Sequence, residues 1–126
     1  IAPDLEPAQI DAIAALLMKH QVDGVIATNT TLSRSGIETL RHGDEVGGMS
    51  GAPLRQRGTA VIRRLHAALQ GALPIIGVGG IMSAADAKEK MEAGASLIQI
   101  YSGLIYRGPA LVGEIAQALC RTEASS

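Results

Sequence analysis

The sequence is nearly without aromatic residues and has a single cysteine. Only 2% of its 126 residues are aromatic, with two Tyr and no Trp or Phe, whereas 47% are hydrophobic, so the core must be aliphatic. Cys120 has no second cysteine to pair with, which excludes an internal disulfide and is typical of a reduced cytosolic thiol. The net charge is −1 without blocks of one sign, so nothing indicates a nucleic-acid partner.

The sequence also lacks long apolar runs and an initiator methionine. No run approaches ~18 residues and no signal peptide is visible, so we expect a soluble chain without a membrane segment. The chain opens on Ile1-Ala2-Pro3 as though inside, or at the end of, a strand. We expect that the chain is a piece of a longer protein, and a natural N-terminus at Ile1 is the alternative.

Two hydrophobic periods alternate along the chain. Helical spacing predicts helices over about 6–20, from Val61, from Ser83 to near Gly94, and from Leu111. Short apolar runs between them predict strands over 25–29, 74–80 and 96–101. This alternation predicts an α/β fold with a parallel sheet. The polar, Gly-rich stretch 30–57 is long for a loop, which is typical of functional or disordered segments.

Two architectures fit this order, a doubly wound sheet and a TIM (β/α)₈ barrel. In barrels a phosphate is often held after the last two strands, helped by a short extra helix, and residues 104–107 are the right length for one. A full barrel typically needs about 250 residues. We therefore predict that residues 1–126 are the C-terminal half of a single barrel domain.

Glycines end the last two predicted strands. Gly79-Gly80 lets a ligand approach bare backbone N–H groups, although a simple strand-to-helix turn is the alternative. One βα unit later, Tyr101-Ser102-Gly103 places N–H groups at the start of a helix, where the dipole favours an anion. The pair together predicts a phosphate site.

Polar side chains follow the first full strand, at Thr28-Asn29-Thr30-Thr31. The amide of Asn29 both donates and accepts, which suits a planar imide or carboxylate, whereas turn chemistry is the alternative. Gly51 ends the Gly-rich loop and either lies close to a ring or merely turns the chain. No Ser/His/Asp arrangement, paired carboxylates or metal-ligand spacing is visible. We interpret Arg34, Arg55 and Arg57 as solvated, with pairing of one of them to a ligand anion as the alternative, and we interpret His20, His42 and His66 as surface residues.

The order and spacing of four segments resemble the quinone-linked (class 2) dihydroorotate dehydrogenases. The resemblance covers nearly the whole chain and rests on residues 23–31, 47–54, 74–81 and 94–103. Met49 stands where that family usually has Leu, a conservative exchange.

This resemblance implies FMN as the cofactor and dihydroorotate or orotate as the substrate. It implies that Asn29 and Thr30 bind the substrate. The implied FMN contacts are Thr28 with the flavin, Gly51 and Gly80 along it, and Tyr101, Ser102 and neighbouring N–H groups around its phosphate. Gly79 and Gly103 complete the predicted cofactor site.

The implied activity is the oxidation of dihydroorotate to orotate in pyrimidine biosynthesis. A hydride passes to FMN, a serine base removes the neighbouring proton, and the electrons leave to a quinone. The serine, a flavin-contacting lysine and the N-terminal helices that reach the quinone are all expected upstream of Ile1. The chain should therefore be catalytically incomplete, and the full-length protein should lie peripherally on the cytoplasmic side of the inner membrane.

Two other readings stay open. One is another FMN barrel that acts on a pyrimidine or a nucleotide. The other is a stand-alone half-barrel that binds phosphate or dimerises without catalysis. Half a barrel leaves open strand edges near Ile1 and Ile100, so we expect the piece alone to associate with its missing half or with itself.

Overall fold

The computed structural model describes residues 1–123 and shows strands and helices in alternation. The elements, in chain order, are α1 (Pro7–Lys19), β1 (Val25–Ala27), a 3₁₀ turn (Ala52–Leu54), α2 (Arg55–Leu69), β2 (Ile75–Val78), α3 (Ala84–Glu92), β3 (Leu97–Gln99), α4 (Ser102–Arg107) and α5 (Ala110–Glu123). The predicted alternation is confirmed, although each strand is shorter than its apolar run.

The three strands form one parallel sheet in the order β1-β2-β3. Val25 of β1 pairs with Ile75 of β2, and Gly77 of β2 pairs with Ile98 of β3. Each strand therefore lies beside the next one along the chain. Parallel neighbours need a crossover, and α2 and α3 supply the two that join these strands.

The helices cover one face of this sheet. Val25, Ala27 and Ile75 point into a cluster with side chains of α1 and α2, among them Ile10 and Leu65. A second, smaller cluster joins α3 to α5 around Ala87, Leu111 and Ile115, where Ile98 of β3 packs against it. Both clusters are aliphatic, as the composition requires.

The other face of the sheet is open in the described part of the chain. Ile26 is 47% exposed and Leu97 is 59% exposed. A doubly wound sheet carries helices on both faces, so the one-sided arrangement is that of a barrel wall. The inner face of a barrel packs against side chains of other strands instead of against helices, which accounts for the apolar side chains on this face.

The loop after β1 ends earlier than the sequence suggested. Gly51 leads into the 3₁₀ turn, and α2 begins at Arg55. Arg55 and Arg57 therefore lie on a helix, where Arg55 pairs with Asp86 at 2.6 Å and Arg57 pairs with Asp4 at 2.5 Å. Both arginine side chains stay partly exposed to solvent, as predicted, but each also pairs with a carboxylate on a neighbouring segment, which the sequence did not indicate.

Ser83 caps α3 as its position predicts. Its hydroxyl accepts a hydrogen bond from the N–H of Asp86 at 3.2 Å, and it donates to the Asp86 carboxylate at 2.8 Å. Burial works to raise the pKa of Asp86, but hydrogen bonds from Arg55, Ser83 and the N–H of Met82 outweigh it and hold that pKa below its usual value. This ionised carboxylate ties the start of α3 to the start of α2.

Candidate functional site

A cleft of about 530 Å³ opens at the carboxyl ends of the three strands. Its volume is typical of small-molecule sites. Every residue that the sequence predicted for a site lines it: Thr28, Asn29, Thr30, Gly51, Gly79, Gly80, Tyr101, Ser102 and Gly103. The structure thus brings these residues together, while the role of each stays a prediction.

Thr28 lies at the buried end of the cleft. The residue is 4% exposed, and its N–H donates to the carbonyl oxygen of Val78 at 3.0 Å. Its hydroxyl oxygen is buried and has no hydrogen-bond partner among residues 1–123. A buried hydroxyl without a partner costs on the order of 1–3 kcal/mol, so a polar ligand group that reaches it would relieve that cost.

Asn29 and Thr30 stand at the exposed rim of the cleft. The N–H of Asn29 donates to the carbonyl of Ile1 at 2.8 Å, and its side-chain oxygen accepts from the N–H of Thr30 at 2.8 Å. Among residues 1–123 the amide NH₂ of Asn29 has no hydrogen-bond partner, and Asn29 lines the cleft. Gly48 lies against Thr30, because a Cβ atom at Gly48 would sit 1.9 Å from the Thr30 hydroxyl oxygen.

Backbone conformation and contacts within the protein account for glycine at positions 79 and 80. Their φ values are +107° and +74°. A Cβ atom at Gly79 would lie 2.9 Å from the Leu54 side chain, and one at Gly80 would lie 2.4 Å from the backbone of Arg55. Our argument that the missing Cβ admits a ligand is wrong for Gly80, since α2 occupies that side. The backbone of both residues still lines the cleft.

Gly103 brings α4 against the end of β2. A Cβ atom there would lie 2.1 Å from the carbonyl oxygen of Ile81. The helix begins at Ser102, earlier than residues 104–107 indicated. The first N–H groups of a helix have no intrahelical partner, so those of Ser102 and Gly103 are available at the cleft. Tyr101 precedes them and is 72% exposed.

Ser50, in the Gly-rich loop, also lines the cleft. Its hydroxyl oxygen lies 2.8 Å from that of Ser102, and both serines line the cleft. The next residue, Gly51, has φ of +82°, a conformation that favours glycine. Sequence reasoning missed Ser50, although its place inside the segment 47–51 was the signal that could have found it.

A buried lysine stands behind Thr28. The ammonium group of Lys90 is fully buried and donates to the carbonyl of Arg55 and to the hydroxyl of Thr59, each at 2.7 Å. A Cβ atom at Gly58 would lie 3.3 Å from this ammonium nitrogen and 3.5 Å from the Thr28 hydroxyl. Burial lowers the pKa of Lys90 to about 8.

Sequence reasoning also missed Lys90. Helical periodicity could have predicted its burial, because Lys90 comes three residues after the fully buried Ala87 and lies on the same face of α3. No group of three or more His, Cys, Asp or Glu side chains within residues 1–123 is arranged to hold a metal ion. Nor is any helix in that range long and apolar enough to cross a membrane.

A parallel sheet with helices on one face and a ligand cleft at its carboxyl end defines part of a (β/α)₈ barrel. The family model for dihydroorotate dehydrogenase matches residues 1–122, so the chain belongs to the dihydroorotate dehydrogenase family. Members of this family are flavin-dependent enzymes.

Similar proteins carry the same name. The chain is 77% identical over 120 residues to a dihydroorotate dehydrogenase (quinone) of Nitrosospira multiformis, covering 95% of this chain and 34% of that protein. It is 69% identical to that of Nitrosomonas eutropha, with 95% and 35% covered. The crystal structure of DHODH from Eimeria tenella in complex with ferulenol superposes with a TM-score of 0.89 at 35% identity, covering 99% of this chain and 33% of that one. The chain thus spans about a third of the length of the relatives it matches.

Proposed function

We propose that residues 1–126 form the C-terminal half of the FMN-binding barrel of a quinone-dependent dihydroorotate dehydrogenase. The complete protein oxidises dihydroorotate to orotate and passes the electrons to a quinone, in pyrimidine biosynthesis. One observation carries the proposal: a single cleft contains both the residues expected to hold FMN and those expected to hold orotate. The similarity to relatives named for this activity supports it.

FMN fits the groups that the cleft presents. The unpartnered hydroxyl of Thr28 can meet a polar atom of the flavin ring. Gly51 and Gly80 contribute backbone along the cofactor, and FMN, when bound, supplies the hydride acceptor.

The phosphate end of FMN lies where the last two strands end. The backbones of Gly79 and Gly80 come from one side and the first turn of α4 from the other. Tyr101, Ser102 and Gly103 supply N–H groups and a hydroxyl there. Hydrogen bonds to a charged oxygen contribute roughly 1.5–3 kcal/mol each, so a few of them anchor the cofactor.

The substrate lies at the rim, beside Asn29 and Thr30. The Asn29 amide NH₂ donates to a carbonyl or carboxylate oxygen of orotate, and the Thr30 hydroxyl adds a second polar contact. The cleft wall within residues 1–123 carries hydroxyl, amide and backbone groups but no carboxylate, imidazole or amine side chain. The base that the family resemblance implies is a serine upstream of Ile1, in the rest of the complete protein. The quinone also binds elsewhere, in a protein peripheral to the cytoplasmic side of the inner membrane.

The test is to express the complete protein and to measure bound flavin and dihydroorotate-dependent reduction of a quinone. Asn29→Ala is expected to raise the KM for dihydroorotate with normal flavin content. Ser96→Ala, at an exposed serine before β3, is the control and should behave as the wild type. A colourless wild-type protein without this activity contradicts the proposal, and activity on another pyrimidine or nucleotide instead would favour a different FMN barrel.

The exposed inner face of the sheet predicts that the isolated chain associates. Ile26 and Leu97 are about half exposed there, and burying each apolar side chain is worth about 1.5–3 kcal/mol. The 126-residue chain alone is therefore expected to associate with itself or with the rest of the barrel. A monodisperse monomer in light scattering would contradict this expectation.

A further inference from the structure

Asp4 lies outside the cleft but holds the segment that carries the expected substrate residues. Its carboxylate accepts three hydrogen bonds from two other parts of the chain. Oδ1 accepts from the Thr31 hydroxyl and from Arg57 Nη1, each at 2.5 Å, and Oδ2 accepts from the N–H of Leu32 at 2.8 Å. The same carboxylate thus joins the turn before α1, the start of the long loop and helix α2.

Asn29 and Thr30, which line the cleft, come immediately before Thr31 and Leu32 in the sequence. Asn29 is fixed on its other side, because its N–H donates to the carbonyl of Ile1 at 2.8 Å. The dipeptide Asn29-Thr30 is therefore held at both ends by the segment Ile1–Asp4. Thr31 is only 2% exposed, so its hydroxyl has little water to replace Asp4 as a partner.

The carboxylate suits this task because all its partners are donors. Partial burial works to raise the pKa of Asp4, but hydrogen bonds from Thr31, Leu32 and Arg57 outweigh it and hold that pKa below its usual value. An ionised carboxylate accepts at both oxygens, and hydrogen bonds to a charged group are stronger than those between neutral groups.

We propose that Asp4 is a positioning residue for the substrate segment, which it holds through Thr31 and Leu32. The inference rests on the proposed function, because it assigns orotate binding to Asn29 and Thr30. Asp4 acts through these neighbours and does not touch the substrate itself. Its loss should therefore weaken the binding of dihydroorotate and orotate while the FMN content stays normal.

The chain contains a matched control for this role. Arg64 Nε donates to Asp11 Oδ1 at 2.7 Å, so Asp11 and Arg64 form an ion pair between α1 and α2. Both residues lie seven positions further along than Asp4 and Arg57. The Asp11 carboxylate has no hydrogen bond to the loop among residues 1–123. Comparing Asp4→Asn with Asp11→Asn therefore separates the loop contact from the helix–helix ion pair.

The experiment uses the complete flavin-loaded protein and measures the Kd of orotate by the change in flavin absorbance, with the KM and kcat for dihydroorotate. Asp4→Asn should raise the Kd and KM about tenfold, because an asparagine presents a donor where the carboxylate accepted. Asp11→Asn and Arg57→Met should change them by less than about twofold, since exposed ion pairs contribute little. Thr31→Val keeps the Arg57 ion pair and the Leu32 contact, and it removes the Thr31 hydroxyl that donates to Asp4 and accepts from the N–H of Ser33. It should therefore also raise the Kd, and it decides the question if Asp4→Asn does not fold.

Hydrogen exchange gives a second readout that needs no activity. The amide of Leu32 should exchange faster in Asp4→Asn than in Asp11→Asn. Equal orotate affinity in Asp4→Asn and Asp11→Asn would overturn the proposal, and so would faster exchange without weaker orotate binding. A wild-type protein without flavin or dihydroorotate oxidation would overturn the proposed function instead, while the exchange data would still show whether Asp4 holds the loop.

Discussion

The hydroxyl oxygens of Ser50 and Ser102 lie 2.8 Å apart and join the Gly-rich loop to the first residue of α4. The two residues are 52 positions apart in the sequence. They meet where the proposed phosphate site opens, so this hydrogen bond holds the loop over the end of the cleft.

Removing either hydroxyl should weaken FMN binding in the complete protein. Ser50→Ala frees the loop and is expected to raise the Kd of FMN a few-fold, since a neutral hydrogen bond contributes about 1 kcal/mol. Ser102→Ala should have the larger effect, because it also removes the proposed phosphate contact. Flavin fluorescence during titration of the apoprotein measures both. An unchanged Kd in Ser102→Ala would contradict the assignment.

Gly48→Ala should impair substrate binding with little effect on FMN. The new Cβ atom would lie 1.9 Å from the Thr30 hydroxyl oxygen, so either the loop or Thr30 must move. We expect the KM for dihydroorotate to rise at least about tenfold, because a displaced side chain loses its hydrogen bond to the substrate. Steady-state kinetics measure this, and Gly113→Ala, where the added atom meets nothing within 4 Å, is the control. A wild-type KM in Gly48→Ala would show that Thr30 does not bind the substrate.

Gly58→Ser should stabilise the protein more than Gly58→Ala. The added Cβ atom lies 3.3 Å from the Lys90 ammonium nitrogen and 3.5 Å from the Thr28 hydroxyl, so a serine hydroxyl there can accept from Lys90 and, in the flavin-free protein, also bond to Thr28. An alanine methyl in the same place offers them no partner. Chemical denaturation of the complete protein measures the free energy of unfolding.

Intrinsic propensity alone would reverse that order, because alanine is the better helix former. Gly113→Ala provides the reference, since it adds a methyl group in open space on α5 and should stabilise by about 0.5–1 kcal/mol. If Gly58→Ala stabilises as much as Gly113→Ala and more than Gly58→Ser, the region between Lys90 and Thr28 does not require a polar group.

Lys90 should make stability rise with pH in the alkaline range. Its pKa is lowered from 10.5 to about 8, so between these values the folded state binds fewer protons than the unfolded state. The free energy of unfolding then increases with pH, by at most about 1.4 kcal/mol per pH unit from this one group. Denaturation of wild type and Lys90→Met across this window should show that the variant lacks the increase. Lys88→Met, an exposed lysine on the same helix, should retain it.

Much of the fold follows from local sequence pattern. Ile10 and Ala14 share one face of α1 because residues four apart on a helix do, and Val25 to Ala27 form a strand between two helical patterns. The polar and glycine residues that end each strand had to meet at one edge, since parallel strands point the same way. This is why the predicted site residues all line the same cleft.

Contacts between distant segments could not be predicted in the same way. Gly80 was explained by a ligand, whereas the structure shows the backbone of Arg55 against it. Arg57 was read as solvated, whereas it reaches Asp4, 53 positions away. The sequence around a side chain does not indicate such a distant partner, because the pairing depends on how α2 packs against the sheet.

The sequence by itself therefore determined the α/β alternation, the position of the ligand cleft and the resemblance to one family. These depend on short-range periodicity, on strand direction and on the spacing of motifs. Only the tertiary structure decided that the helices cover a single face, that Lys90 is buried behind Thr28, and that Asp4 and Ser50 hold the loop around the cleft. Those features arise from packing between segments 25 or more residues apart, where chain proximity imposes no constraint.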